Sequence, residues 1–137
     1  MEYTAEAVQL EAMRFDVRMG AHTTVSDYPL EPNASGAGPR PLEMLLGSLS
    51  ACAGGTLVAL LRRGQQPLQG LTVRARGQRR SEHPTVFTEI ALEFVVSGPL
   101  DSAVVAQAIE QAETRVCPVW AMLRPTTPIT ATFTIVP

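Results

Sequence analysis

Between Met44 and Leu61 the chain carries no charged residue, and that stretch constrains the fold more than any other. It is about as long as the shortest helices that span a bilayer. Its composition points elsewhere, because Gly47, Ser48, Ser50, Gly54 and Gly55 dilute the apolar content and no aromatic belt flanks it. A helix apolar on all sides belongs in a core. The expected helix starts at Pro41, where proline suits a first helical position, with Glu43 in its first turn. Arg62, Arg63 and Gly64 supply a basic last turn and a glycine stop near Arg63.

The rest of the chain must cover that helix. Short alternating stretches through Ala7, Val8 and Leu10, then Met13, Phe15 and Val17, then Thr23 to Ser26, predict two or three antiparallel strands. Leu30 to Arg40, with Pro32, Asn33, Gly36, Gly38 and Pro39, is loop chemistry and long enough to carry function. After the helix, Leu71, Val73 and Ala75 alternate with polar residues. A Ser-Glu-His-Pro turn at Ser81 to Pro84 then leads to Ile90, Leu92, Phe94 and Val96, and together these predict a long hairpin. Asp101 or Ser102 can cap a second helix bearing Val104, Val105, Ala108, Ile109 and Ala112. Cys117-Pro118 restarts a short helix through Trp120 and Leu123, and Ile129 to Ile135 closes with a strand.

That order predicts an α+β fold with antiparallel pairing, built as one domain over residues 1–137. One sheet face and one amphipathic helix cannot surround the central helix, so a second subunit is expected to complete the cover. With 11 basic and 13 acidic residues and no Lys/Arg run, neither nucleic acid nor a membrane surface is an expected partner. The N-terminus starts acidic and alternating, unlike a signal peptide, so a cytoplasmic location is expected.

The chemistry-bearing residues are the cysteines. On an ideal helix Leu45, Leu49, Thr56 and Ala59 share the face of Cys52, so its own helix offers apolar or hydroxylic neighbours. Burial of that kind raises a thiol's pKa, and a positive group must come from elsewhere for Cys52 to react. Without one, Cys52 is a small core hydrophobe. Cys117, just before a proline at a helix start, is expected near unpaired backbone N–H groups that favour a thiolate. The chain has neither CxxC nor Cys/His metal spacing, and its histidines are His22 and His83. No metal or cofactor site is expected.

Two stretches, GPRPLEMLLGSLSAC and ETRVCPVWAML, resemble the OsmC/Ohr family of thiol-dependent peroxide reductases in sequence and in order. RRSEHPTVFTEIALEFVVSG and GAHTTVSDYP look most like its less characterised OsmC-like branch. The resemblance implies an intertwined α+β homodimer, its sheets wrapped around long central helices, with active sites at the subunit interface. It also implies that Cys52 is the peroxidatic cysteine and Cys117 the resolving one, with an external dithiol as reductant. One departure concerns charge. The family's hydroperoxide reductases pair an arginine with a glutamate ten residues before the peroxidatic cysteine, and here that position is Leu42, with Glu43 one residue later. Nine residues of ideal helix set Glu43 about 180° from Cys52. Its two readings are a carboxylate favouring the helix dipole and a site or dimer-contact residue. Among Arg14, Arg18 and Arg40, Arg18 is the expected partner of the thiolate.

The function implied is reduction of organic or lipid hydroperoxides through Cys52 and Cys117. Trp120, Met122, Leu45 and Leu49 are candidate pocket walls. The alternative is a non-catalytic OsmC-like stress protein that holds a small apolar ligand at the dimer cleft, motivated by the missing arginine–glutamate pattern.

Overall fold

The computed structural model describes residues 1–31 and 33–137, and Pro32 of the expected loop lies outside the described residues. The chain forms two compact units, 1–45 and 46–137.

The first unit is an antiparallel sheet of β1 (Ala5–Glu11), β2 (Arg14–Met19) and β3 (His22–Asp27), in that order. Its turns are tight because Ala12 and Gly20 take positive φ, 49° and 61°. Glycine does so without strain and alanine does not. The register places Ala5, Ala7, Phe15, Val17 and Met19 on one face, and Glu6, Arg14, Asp16, Arg18 and Asp27 on the other. Within this unit a shallow hollow of about 350 Å³, lined by Ala7, Met13, Phe15, Val17, Ser26, Tyr28 and Pro41, marks the apolar face.

The loop after β3 is held by β3 itself. Asp27 is buried, and its Oδ2 accepts from the Ala37 N–H at 2.9 Å and from Arg14 Nε at 3.3 Å. Ser26 Oγ and the Asp27 N–H both donate to the Pro39 carbonyl, at 3.0 and 3.1 Å. Gly38 passes so close that a Cβ there would sit 2.0 Å from the Val25 carbonyl oxygen. The loop thereby delivers Arg40, whose guanidinium lies 5.1 Å from the Tyr28 ring centre, and Pro41 to the start of the long helix.

That helix, α1 (Pro41–Arg63), has the bounds expected from its ends. It has the length and hydropathy of a membrane span, yet Leu49, Ala53, Gly54, Leu57 and Leu61 are buried in protein. The glycine stop is displaced by one residue. Gln65 takes the left-handed conformation at φ 57°, with the Gln66 N–H on the Leu61 carbonyl and the Gln65 N–H on the Arg62 carbonyl. This is a Schellman cap with Gln65 in the place usually held by glycine.

In the second unit β4 (Gly70–Arg79) pairs antiparallel with β5 (Phe87–Ser97), as the hairpin reading expects. β6 (Ile129–Val136) instead runs parallel to β5, a correction to the all-antiparallel expectation. The chain between them is long enough for a crossover, which parallel neighbours require. That crossover contains α2 (Ser102–Gln111), a π-helical turn (Ala112–Val116) and α3 (Pro118–Leu123). Asp101 caps α2, its carboxylate accepting from the Ala103 N–H.

The buried stripe of α1 packs with Ile90, Leu92, Phe94 and Val96 of β5, Val105, Ala108 and Ile109 of α2, and Ala112, Cys117 and Trp120. Helix and sheet approach closely at Gly54, where a Cβ would stand 3.1 Å from Val73 Cγ2. The α+β architecture of sheets with a long central helix is therefore as expected, and both cysteines lie in the second unit.

Candidate active site

Cys117 is fixed by backbone on both sides. Its N–H donates to the Ala112 carbonyl at 3.0 Å, the bond that closes the π turn, and its carbonyl accepts from the Ala121 N–H at 3.0 Å to open α3. Between them Cys117 is extended, at φ −72° and ψ 110°. The cause is Pro118, because proline forces the preceding residue out of helical geometry and then suits the first helical position itself. The extra residue in the helical ladder is absorbed as the π turn, a form that recurs at functional sites.

So held, Cys117 directs its thiol at the one other cysteine. Cys117 Sγ donates to Cys52 Sγ at 3.0 Å, across 65 residues of sequence, and both are free thiols. Cys117 is completely buried, whereas Cys52 is half-buried on the flank of the α1 stripe. At Cys117 the backbone N–H groups expected from the sequence are present, and burial outweighs them. Burial, aided by Cys52 alongside, pushes the Cys117 thiol up to about 11, against the backbone N–H groups of Trp120 and Val119 that favour its thiolate. At neutral pH Cys117 therefore keeps its S–H, which points at Cys52 Sγ.

Trp120, one helical turn on, belongs to the same buried cluster as Cys117. It is fully buried and stacks on Phe94 with ring centres 6.5 Å apart and an angle of 17°. Its Nε1–H has no hydrogen-bond partner among the described residues. Of the other expected pocket walls, Leu49 is buried in the core and Met122 is an exposed side chain.

The charged candidates lie in the first unit. Arg18 on β2 faces Glu6, Nη1 to Oε1 at 3.7 Å, with both side chains largely exposed. Glu43 is occupied at the helix start, where its Oε1 accepts from the Arg40 N–H at 2.9 Å. That is the backward half of a capping box, with Arg40 as N-cap and Glu43 three residues on. Arg14 is committed to Asp27. In the second unit Arg74 pairs with Glu93, Arg80 donates to the carbonyls of Glu82 and Pro84, and Arg124 to that of Glu113. His22 is exposed on β3, and His83 is exposed in the β4–β5 hairpin.

Sequence reasoning did not find the π turn or the loop clamp at Asp27. The only local sign of the first was Cys-Pro itself. The second has none, because its partners, Arg14 and Ala37, come from another strand and from the loop.

A family model described as OsmC-like protein matches residues 34–132. Protein YhfA of Escherichia coli K12 is 32% identical over 108 residues, which cover 78% of this chain and 81% of that protein. Among solved structures, an OsmC-like protein from Mycoplasma pneumoniae superposes with a TM-score of 0.88 at 21% identity, over 100% of this chain and 99% of the other. A Legionella pneumophila protein described as an organic hydroperoxide resistance protein OsmC superposes at 0.78 and 15% identity, over 98% and 97%. At such identities the last two bear on the fold alone.

Proposed function

Because the chain belongs to the OsmC-like protein family, we propose that it is a thiol-dependent reductase of organic or lipid hydroperoxides, with Cys52 attacking and Cys117 resolving. The observation that carries this reading is the pair of free sulfurs 3.0 Å apart, one half-buried and one sealed from solvent. A peroxide can reach the first and not the second. The Cys52 thiolate gives an electron pair to the terminal oxygen of ROOH, the O–O bond breaks, and an alcohol leaves while Cys52 becomes a sulfenic acid. Cys117 then attacks that sulfur and water leaves, forming a disulfide for an external dithiol to reduce. A bond length of about 2.05 Å asks the sulfurs to approach by only about 1 Å from where they lie. The apolar core cluster against which Cys52 packs favours organic substrates over hydrogen peroxide.

Arg18 and Glu43 complete the proposed set. Arg18 is the cation offered to the thiolate, since an exposed pair with Glu6 holds a side chain by only about 0–1 kcal/mol. Glu43 acts by fixing the start of α1. The working unit is a homodimer, whose second copy covers the apolar face that β1–β3 leave open within their own unit. Free thiols suit a reducing compartment such as the cytoplasm.

Peroxide-dependent loss of thiol titre, followed by a Cys52–Cys117 disulfide on mass spectrometry, is expected, and Cys52→Ser should abolish both. Two thiols untouched by excess cumene hydroperoxide would overturn the reading. They would favour instead a non-catalytic module for a small apolar ligand, consistent with Arg18 and Glu43 already having partners. Arg18→Gln should slow iodoacetamide alkylation of Cys52 on the order of tenfold at pH 7, with Arg63→Gln as control.

A further inference from the structure

We propose that the outer edge of β6 is a self-association surface: it pairs antiparallel with β6 of a second copy of this chain, about a two-fold axis at Thr132. The contact is separate from the cover of the β1–β3 face and does not rest on the peroxidase reading.

The sheets end on β1 and β3 in the first unit and on β4 and β6 in the second. Such an edge is a template for another strand unless charge, proline, a bulge or a covering loop blunts it. β1 carries Glu6 and Glu11, with a bulge between Gln9 and Glu11. β4 carries Arg74, Arg76 and Arg79, with a bulge at Gln78 and Arg79. The outer edge of β3 is taken by its own loop, through the Asp27 N–H on the Pro39 carbonyl and the close pass of Gly38 at the Val25 carbonyl. β6 has none of these devices. From Ile129 to Val136 it holds no charge and no proline, and its register with β5 runs without a break. Its backbone bonds run to β5 and, at Val136, to Gly98 just beyond β5.

The sequence of that edge is complementary to itself. Outward from Thr132 the matched positions are Ala131 and Phe133, Thr130 and Thr134, then Ile129 and Ile135. Antiparallel pairing about Thr132 therefore sets Ile129 against the partner's Ile135, Thr130 against the partner's Thr134, and the small Ala131 against the partner's Phe133. The backbone agrees with that register. The Ile90 N–H donates to the Pro128 carbonyl and the Gly98 N–H to the Val136 carbonyl, so the even-numbered residues of β6 turn their backbone groups towards β5. Alternation along the strand leaves the N–H and C=O of Ile129, Ala131, Phe133 and Ile135 on the open side. In the proposed register these residues pair only with one another, each pair exchanging both N–H···O bonds. Their side chains pack against the core yet are only half-buried, while Ile90, Leu92, Phe94 and Val96 of β5 are at most 2% exposed. A second β6 alongside extends the same apolar face and covers them from the side. Such a self-matching contact is what a two-fold axis between identical chains requires. One strand from each copy makes a small interface, so the association is weak and grows with concentration.

Charges placed at the axis test the pairing. Thr132 is exposed, and its β5 neighbour Glu93 is engaged by Arg74, so a longer side chain at this position leaves the fold intact. Thr132→Lys and Thr132→Glu each set like charges directly opposite one another across the axis. Each is expected to weaken association of the full chain on the order of fivefold in sedimentation equilibrium. An equimolar mixture of the two variants sets opposite charges face to face and is expected to regain wild-type association. The step that responds is monomer to dimer where the β1–β3 face stands open in solution, and dimer to larger assembly where a second copy covers it. Failure of the homodimer reading is thus distinct from failure of this one. Unchanged association in both variants overturns the pairing, and so does a loss that mixing does not repair. Should either variant fail to fold, hydrogen exchange on the wild type decides. Amides of Ile129, Ala131, Phe133 and Ile135 that slow as protein concentration rises support the pairing, and exchange there that is independent of concentration overturns it.

Discussion

The two three-stranded sheets carry similar alternating sequences and end up in opposite physical situations. In β4–β6 the inward residues Ile90, Leu92, Phe94 and Val96 are at most 2% exposed, because α1, α2 and α3 lie over them. In β1–β3 every residue of β1 is exposed, and Phe15 and Val17 are only half-buried. What holds the first unit together is polar. Arg14–Asp27 and the bonds of Asp27 and Ser26 tie its third strand to the second and to the loop, where the second unit relies on dry packing. Alternation specifies a two-faced strand, and whether the apolar face is buried depends on what the rest of the chain, or a second copy, brings to it.

The largest effect separating the sheets is expected from truncating one phenylalanine in each. Phe94→Ala removes the stacking partner of Trp120 from a closed core and should lower stability by about 3–5 kcal/mol in urea unfolding. Phe15→Ala opens no such cavity. On the homodimer reading its effect appears in association: sedimentation equilibrium should show a raised monomer fraction for Phe15→Ala and none for Val8→Ala on the opposite face. Unchanged association in Phe15→Ala would break the comparison, since that face would then be exposed in its working state.

The unequal legibility of the two units follows the same line. Features set by a few neighbouring residues could be read from sequence: Pro41 and Arg63 bounding α1, Asp101 capping α2, Cys117-Pro118 restarting a helix, the β4–β5 hairpin. Features set by distant partners could not. The parallel pairing of β6 depends on where the crossover sets the chain down, and the Asp27 clamp depends on Arg14 and Ala37. The candidate site divides in the same way. Its two cysteines stand out by position, but their pairing came only from family resemblance, and the deep burial of Cys117 was not read from its Cys-Pro context. A helix wheel shows a residue's neighbours on its own helix, and the burial of Cys117 is the work of the surrounding core.

Titration should pull the units apart in opposite directions. The Ala37 N–H, helped by Arg14 and opposed by burial, holds the Asp27 carboxyl below its ordinary 3.8. Its folded pKa is lower than its unfolded one, so its contribution is present above about pH 4 and is lost as pH falls through the depressed value. Cys117 is the reverse case. Its folded pKa is raised, so its contribution is full below the ordinary thiol value and disappears as pH rises towards about 11. Limited proteolysis across pH should therefore cut the 28–40 loop first in acid, and segments around α2 and α3 first in alkali. Asp27→Asn should flatten the acid limb and Cys117→Ser the alkaline one. Loss of both units together at both extremes would mean that they unfold as one body.

The smallest expected effect places one matched residue in each unit. Ala12, in the β1–β2 turn, and Gln65, at the cap of α1, both hold positive φ without being glycine. A left-handed conformation costs a residue with a Cβ about 1–2 kcal/mol, while glycine adopts it freely but adds entropy to the unfolded chain. The net gain for Ala12→Gly or Gln65→Gly is thus about 1 kcal/mol or less. The Schellman bonds at Leu61 and Arg62 do not involve the Gln65 side chain, so its removal leaves them intact. In the second unit that gain should appear in full as a raised urea midpoint, because the end of α1 is packed into the cooperative core through Leu61. In the first unit, where little is buried, Ala12→Gly should slow amide exchange in β1 and β2 while leaving the global midpoint nearly unmoved. Equal shifts of the global midpoint from both variants would show that β1–β3 share the stability of the core despite burying so little of themselves.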